Sequence, residues 1–413
     1  MRLDFDAFDL TPAEVRARFR WAMRQGQPAW LWPATPVVDW QEALDAIERL
    51  LRFVLSGSQA PRTLEGDAGA IGLACYTSGV GPLLGYWHEQ AIFSSAPEIA
   101  AVLELHLHHN RLRATRMESA TVPIIEMLAE RRIAVAVLKG AHTGPAYFGA
   151  KGIRPASDVD LLVHADDMAN AEKLIAAAGF VEASRGSHET SWRPIAAPPE
   201  PRSLQLVHAN DPWSIDLHGS LDVSAGPGTR VARLDRAEPL ASRNRWALCP
   251  TALVLEQPLL LLHLAVHAGA GLHNLSLLRL TELALVIRKD AATGRLSWDD
   301  FLSLGASVGG LAYAFAALKL CADLVPGTVP GPVLERCAAD TPAAVRRRLD
   351  RLTPASAQRI DRNSMTEHGM WVNGWSGLAR QFASDLIPST SWRKLSAIYQ
   401  RRAWTLMRGK IRL

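Results

Sequence analysis

Cysteine is scarce in this chain. Its 413 residues hold four, Cys75, Cys249, Cys321 and Cys337, far apart in sequence. No Cys-x-x-Cys pair and no zinc-ligand spacing occurs, which excludes a disulfide framework or a zinc-stapled domain and agrees with a reducing cytoplasm. Lysine is scarcer than arginine, 7 against 38. Such a bias reflects genomic base composition more than function, so arginine clusters carry reduced weight. Long apolar runs are missing too. The most apolar stretch, Leu259 to Val266, is interrupted by His263 and preceded by Glu256, Gln257 and Pro258. It falls short of the roughly 20 residues that span a bilayer. The N-terminus, MRLDFDAFDL, is acidic and mixed, unlike a basic region followed by an apolar one. A soluble, cytoplasmic protein is the expectation. There is no internal repeat, low-complexity tract, Walker A loop or Gly-x-Gly-x-x-Gly, and no Ser/His/Asp or Cys/His arrangement stands out.

What is present is ordinary globular composition: 48% hydrophobic, 21% charged, 7% aromatic, mean hydropathy +0.01. Disorder over most of the chain is excluded. At about 100–200 residues per domain, the length allows two to four units and a sizeable core. The net charge of +4 suggests a nucleic-acid partner until it is divided along the chain. Residues 341–413 hold 14 Lys/Arg against 4 Asp/Glu, net +10, and the remainder 31 against 37, net −6. The body is mildly acidic and the positive excess lies in the tail. There, Trp392, Leu395, Tyr399 and Leu406 recur at helical spacing among basic residues. That pattern suits nucleic acid, acidic lipid, an acidic partner or the chain's own acidic body, and the last is favoured.

Residues 11–130 read as helical. Thr11, Pro12 and Glu14 form an N-terminal cap signature, and 41–55 and 97–131 repeat apolar positions at three- and four-residue spacing. The Gly-rich GDAGAIGLACYTSGVGPLLGYW between them gives no clear reading. From residue 133 the texture changes. IAVAVLKG predicts a buried strand entering a turn at Gly140, AHTGPAYFGA a short helix, KGIRPAS a loop and DVDLLVHA a second strand. ADDMANAEKLIAAAGF predicts a helix stopped by Gly179. VEASR, SLQLVHA and SIDLHGS are further strand candidates, the last two flanking a hairpin-like turn at Asn210-Asp211-Pro212-Trp213. Helices are expected over 251–268, 275–290, 298–322 and in the tail, with PGTVPGP (326–332) as a linker.

The strongest chemical signal is Ser157-Asp158-Val159-Asp160-Leu161-Leu162-Val163. Aspartate is disfavoured in strands, yet two stand at i and i+2. Strand alternation points both side chains the same way, ~6.6 Å apart, where two carboxylates converge on one hard cation. Solvated aspartates at a strand edge are the plain alternative. A third carboxylate, Asp216, lies in the apolar run Ser214-Ile215-Asp216-Leu217-His218. Upstream, Leu138-Lys139-Gly140 ends a strand at a helix start, where a glycine admits a phosphate to backbone N–H groups. Lys139 reads as a phosphate contact or as a lysine extending from a strand end. Arg154 reads as a phosphate clamp or a surface arginine. His218 shares a face with Asp216 and is suited to orienting it, to acting as a general base, or to a structural hydrogen bond. His263 and His267 stand one helical turn apart without the glutamate of a metalloprotease motif, and read first as packed core histidines. His106, His108 and His109 read as a solvated helix face.

These motifs together carry a resemblance. The segment VAVLKGAHTGPAYFGAKGIRPASDVDLLVHADDMANAEKLIAAAGF is similar to the uncharacterised bacterial nucleotidyltransferase family, a branch of the polymerase-β-like superfamily. Lys139, Gly140, Tyr147, Arg154, Pro155, Asp158, Asp160, Asp216 and His218 fall on matching positions, and LLLLHLAVHA (259–268) matches a later helical motif. The likeness covers about 115–290. Two departures stand out. Lys139-Gly140 replaces the superfamily's usual Gly-Gly or Gly-Ser, and the Asp-x-Asp lies further from that turn. The resemblance implies an α+β fold, a small mixed sheet with helices, flanked by helical regions. It divides the chain into an N-terminal helical region (1–112), a nucleotidyltransferase core (113–225), a helical acceptor-side region (226–330) and a basic helical tail (331–413).

The implied activity is Mg²⁺- or Mn²⁺-dependent transfer of a nucleoside monophosphate from an NTP to a hydroxyl or phosphate acceptor, with pyrophosphate release. Asp158, Asp160 and Asp216 would hold metal, Lys139, Gly140 and Arg154 the nucleotide, and His218 would join the catalytic set. The acceptor, a small molecule, saccharide or peptide, is not identified by the sequence. A tailoring transferase on the same scaffold and a non-catalytic binding module are the competing readings.

Overall fold

The first helix begins where its capping residues place it. Thr11 Oγ1 accepts the Glu14 N–H (3.3 Å), and the Glu14 carboxylate accepts the Thr11 N–H (2.7 Å). This reciprocal cap starts α1 (Pro12–Gln25). The computed structural model describes residues 7–25, 31–58, 62–186, 188–198, 200–226, 228–272, 275–358, 367 and 369–372. The basic tail beyond residue 372, with its Trp392–Leu406 pattern, lies outside the described residues.

Four more helices precede the sheet: α2 (Val37–Leu55), α3 (Ala68–Ser78), α4 (Gly81–Glu89) and α5 (Pro97–Glu130). The Gly-rich stretch that the sequence left open therefore forms two helices. Asp67 caps α3 by accepting the Ala70 N–H at 2.8 Å. The glycines serve packing, since a Cβ on Gly85 would lie 2.4 Å from the Leu103 carbonyl of α5.

Two short strands, β1 (Thr63–Leu64) and β2 (Ser94–Ser95), pair in parallel beside these helices. The main sheet holds β3 (Ala136–Val137), β4 (Asp158–Leu162), β5 (Phe180–Arg185), β6 (Glu189–Pro194) and β7 (Ser214–His218). After a small antiparallel pair, β8 (Val223–Ser224) with β9 (Val231–Ala232), come its last members, β10 (Arg245–Trp246) and β11 (Cys249–Val254). The order is β10-β11-β3-β4-β7-β6-β5, with β11–β3 and β4–β7 parallel and the other neighbours antiparallel. The remaining helices are α6 (Lys139–Tyr147), α7 (Met168–Ala177), α8 (Leu259–Ala270), α9 (Leu277–Ala292), α10 (Trp298–Ser307), α11 (Leu311–Leu324), α12 (Gly331–Ala339), α13 (Ala343–Leu349) and α14 (Pro354–Ala357). The fold is α+β with a mixed sheet and helical regions on both sides in sequence.

Several expectations need correction. SLQLVHA is no strand, and Asn210–Trp213 is no hairpin turn. The Asp211 carboxylate takes the N–H groups of Arg202 (2.6 Å) and His208 (2.8 Å), so the segment's donors go to a local side chain instead of a ladder. The partner beside β7 is instead β6, whose Glu-Thr-Ser-Trp-Arg-Pro pattern gave little apolar signal. Residues 251–254 belong to β11, not to a helix, so the sheet continues past residue 225. The helix expected over 298–322 is two, parted at Val308-Gly309-Gly310. PGTVPGP is a short turn after which α12 packs back on α11, through Val333 and Cys337 in the common core.

The sheet separates two apolar clusters. On one face Val159, Leu161, Ile215 and Leu217 pack with Ile124, Ile125 and Leu128 of α5 and Ala171 and Ile175 of α7. On the other, Leu138, Leu162 and Leu253 join a cluster that runs from Trp40 to Trp371 through α2–α4, α8, α9 and α11. Each such buried side chain contributes about 1.5–3 kcal/mol. Among the described residues no single helix is long and apolar enough to cross a membrane.

Candidate active site

The alternation that buries Val159 and Leu161 on one face of β4 turns Asp158 and Asp160 to the other. The parallel register sets Asp160 opposite Asp216 and Leu162 opposite His218, so all three carboxylates and His218 share one face. Asp160 is buried, and its Oδ1 accepts from Lys139 Nζ (2.7 Å) and lies 2.9 Å from His218 Nε2. Burial alone would raise its pKa, but the Lys139 ammonium and the His218 contact outweigh that and hold it well below the usual carboxylate range. Asp158 behaves oppositely. Burial and the neighbouring Asp160 charge push it up to about 6, against the attraction of Lys139. Its Oδ2 accepts from Ser157 Oγ at 3.1 Å. Asp216 Oδ1 is buried and has no hydrogen-bond partner among the described residues.

Lys139 sits where β3 ends and α6 begins, at φ +44. A non-glycine residue there costs on the order of 1–3 kcal/mol and persists only where the surroundings enforce it. The Leu138 N–H to Asp160 carbonyl bond (3.0 Å) anchors the turn on one side, and the Lys139–Asp160 pair on the other.

Arg154 stands over Gly140. A Cβ on Gly140 would lie 1.9 Å from Arg154 Nη1, so the glycine makes room for a guanidinium at the start of α6. That guanidinium is held bidentately by Glu282 of α9, Nε to Oε1 at 2.7 Å and Nη2 to Oε2 at 3.0 Å. Thr143 Oγ1 also donates to Glu282 Oε1. Tyr147 ties the other end of α6 to α9 through Asp290 Oδ2 at 2.9 Å.

Two clefts meet at Arg154. One, beside α5, is lined by Asp158, Gly140, Gly144, Met117 and Trp246. The other, between α6, α8 and α9, is lined by Lys139, Arg154, His267, Arg279 and Glu282. Arg279 Nη1 lies 3.3 Å from His267 Nδ1, and Arg279 has no carboxylate ion pair among the described residues. Three cations (Lys139, Arg154 and Arg279) and four carboxylates (Asp158, Asp160, Asp216 and Glu282) thus occupy one neighbourhood.

The structure therefore brings together Lys139, Gly140, Arg154, Asp158, Asp160, Asp216 and His218. Their pairing differs from the sequence reading in detail. His218 addresses Asp160 rather than Asp216, with its Nδ1 3.5 Å from Glu189 Oε2. His263 is a buried core histidine whose two ring nitrogens lack hydrogen-bond partners among the described residues, and burial lowers its pKa to about 3. The 106–109 histidines are not one solvated face. His106 is buried, and His109 packs on His208 with ring centroids 4.4 Å apart. Sequence reasoning missed Glu282 and Arg279. A Thr-Glu pair interrupting the leucines of LLRLTELALV was the available signal, since a charge on an apolar helical stripe calls for a buried partner.

Three carboxylates suit a hard divalent cation, and the unpartnered, buried Asp216 Oδ1 is the kind of atom such a cation would satisfy. As the side chains stand, no group of three or more His, Cys, Asp or Glu among the described residues is arranged to hold a metal ion. Lys139 and His218 both hold Asp160 Oδ1.

No curated protein matches the chain, and no solved structure matches it. A family model described as an uncharacterised nucleotidyltransferase matches residues 73–326, from α3 through the sheet and α8–α11. The match takes in every residue of the carboxylate and cation set, and the chain belongs to this nucleotidyltransferase family.

Proposed function

We propose that this protein is a divalent-cation-dependent nucleotidyltransferase that moves a nucleoside monophosphate from an NTP to a hydroxyl or phosphate acceptor. The observation that carries the reading is the register of β4 and β7, which sets Asp158, Asp160 and Asp216 on one sheet face beside Lys139, Arg154 and Arg279. We read the sheet around β4 and β7 as a polymerase-β-like core.

Asp158, Asp160 and Asp216 would hold Mg²⁺ or Mn²⁺, which when bound neutralises phosphate charge and polarises the reacting phosphoryl group. The acceptor oxygen forms a bond to the α-phosphorus while the bond to the bridging oxygen of the β-phosphate breaks, and pyrophosphate leaves with that electron pair. Asp216 would either complete the metal site through its unpartnered Oδ1 or take the proton of an acceptor hydroxyl. Lys139, Arg154 and Arg279 are the cations that oppose the triphosphate charge. Lys139 must exchange Asp160 for phosphate, and Arg154 must share its fork with Glu282. His218 orients Asp160 and keeps it ionised.

Calorimetric titration of each NTP with Mg²⁺ into the full chain tests the reading. The expected result is saturable binding that falls at least about tenfold in a D158N/D160N double variant. Equal affinity in wild type and variant overturns the metal role of the pair.

A further inference from the structure

Arg113 is one of the largest fully buried side chains in the molecule, 2% exposed, and no carboxylate lies within ion-pair distance of it among the described residues. A buried guanidinium without a counter-ion costs several kcal/mol unless its donors are satisfied. Here each of its three nitrogens donates to a main-chain carbonyl. Nε donates to the Ala156 carbonyl at 3.0 Å, Nη1 to the Asp211 carbonyl at 2.7 Å and Nη2 to the Pro212 carbonyl at 2.9 Å.

The placement of those carbonyls gives the contact its meaning. Ala156 lies two residues before Asp158, at the entrance to β4. Asp211 and Pro212 lie just before Ser214, at the entrance to β7, which carries Asp216. One side chain from α5 thus grips the two loops that feed the two carboxylate-bearing strands. Arg116, one turn along α5, adds Nη2 to the same Asp211 carbonyl at 2.6 Å. The ladder between β4 and β7 fixes their register from Asp158 and Ser214 onward, and just ahead of it the Ser214 N–H donates to the Ser157 carbonyl at 3.3 Å. Only arginine has a rigid fork broad enough to reach three carbonyls on two loops, whereas a lysine ammonium meets them as a point charge.

We infer that Arg113 is a positioning residue that sets Asp158 and Asp216 relative to each other by clamping both strand entrances. This rests on the reading of those carboxylates as the cation-binding site. The inference predicts that loosening appears at both loops together and is felt as lost cation affinity, although Arg113 contacts no carboxylate.

The test uses the full chain as R113M and R113K. Hydrogen exchange is followed in peptides covering 155–160 and 210–216, and Mn²⁺ binding by electron paramagnetic resonance. In R113M both peptides should exchange faster, with α8 and α9 unchanged, and Mn²⁺ affinity should fall about 10–100-fold. R113K should recover part of that loss. Faster exchange at one loop only, or at neither, overturns the inference. So does loosening at both with Mn²⁺ affinity unchanged, which would leave Arg113 a fold-stabilising residue alone. Should R113M fail to fold, R113K decides by the same two readings. A wild-type chain that takes up no Mn²⁺ overturns the cation reading of the carboxylates instead, and the exchange result alone then upholds or overturns the clamp.

Discussion

Asp158 and Asp160 are two residues apart on one strand, yet their environments drive their ionisation in opposite directions. Asp160 has a lysine and a histidine, while Asp158 has a serine hydroxyl and two carboxylate neighbours. Asp158, raised to about 6, binds its proton more tightly folded than unfolded. Its contribution to stability is therefore fully present below the unfolded value near 4 and is lost as pH rises through about 6. Asp160 works the other way, stabilising the fold above pH 4 and withdrawing that support only in acid. In D158N the Asp158 cost disappears. Without divalent cation, the variant should melt roughly 3 °C above wild type at pH 7.5, with the gap closing below about pH 4. Differential scanning calorimetry in chelator from pH 4 to 8 reads this directly. A pH-independent difference would mean that Asp158 titrates as an ordinary surface carboxylate. Much of this site was legible one residue at a time, because Asp-x-Asp in an apolar strand is conspicuous and alternation fixes its face. The partners were not. Nothing in Ser214–His218 says that His218 will reach Asp160 across the ladder, since periodicity reports which face a side chain takes and never which strand lies beside it.

Among secondary elements, the decisive link is the one between the loop before β4 and helix α9. Arg154 and Glu282 are 128 positions apart, both nearly buried and joined bidentately, with Thr143 of α6 as a third member. The pair fixes α6 against α9, and Arg154 supplies the wall common to both clefts. Removing one charge leaves the other stranded in a low-dielectric site. E282Q should therefore cost about 3–5 kcal/mol in urea unfolding, while R154M/E282L should recover most of that loss. Additive losses across the cycle would show the two side chains to be independent. Elements whose identity depends on long-range partners were the ones the sequence concealed. β6 has little apolar character and exists because β7 and β5 flank it, and β11 follows a helix-like leucine pattern but pairs with β3. Elements that carry their own terminators, such as α1 with its Thr11–Glu14 cap and α7 before Gly179, stand within a few residues of where the sequence sets them.

At the scale of the whole molecule, the helices before and after the sheet form one apolar body. Glu48 of α2 accepts the Ala355 N–H of α14 at 2.8 Å, Gln358 donates to the Thr77 carbonyl at 2.8 Å, and Trp371 packs on Tyr313 with ring centroids 4.6 Å apart. The first two closures span some 300 residues of sequence, and Tyr313 and Trp371 share a cluster with Leu138 and Leu162, the apolar residues beside Lys139 and Asp160. Melting of the flanking helices cannot leave the carboxylate face intact, because the same residues support both. Far-ultraviolet circular dichroism and tryptophan fluorescence should accordingly report a single coincident transition. NTP with Mg²⁺ at about 100 times its dissociation constant should move both probes together by about 3 °C, the stabilisation expected from mass action on a chain of this length. Two separated transitions, with only one responding to nucleotide, would show that the helical flanks fold apart from the site. Among the described residues the cations facing the carboxylates (Lys139, Arg154 and Arg279) all belong to the acidic body, so the site's positive charge does not follow from the chain's net +4 but from where these three side chains are placed.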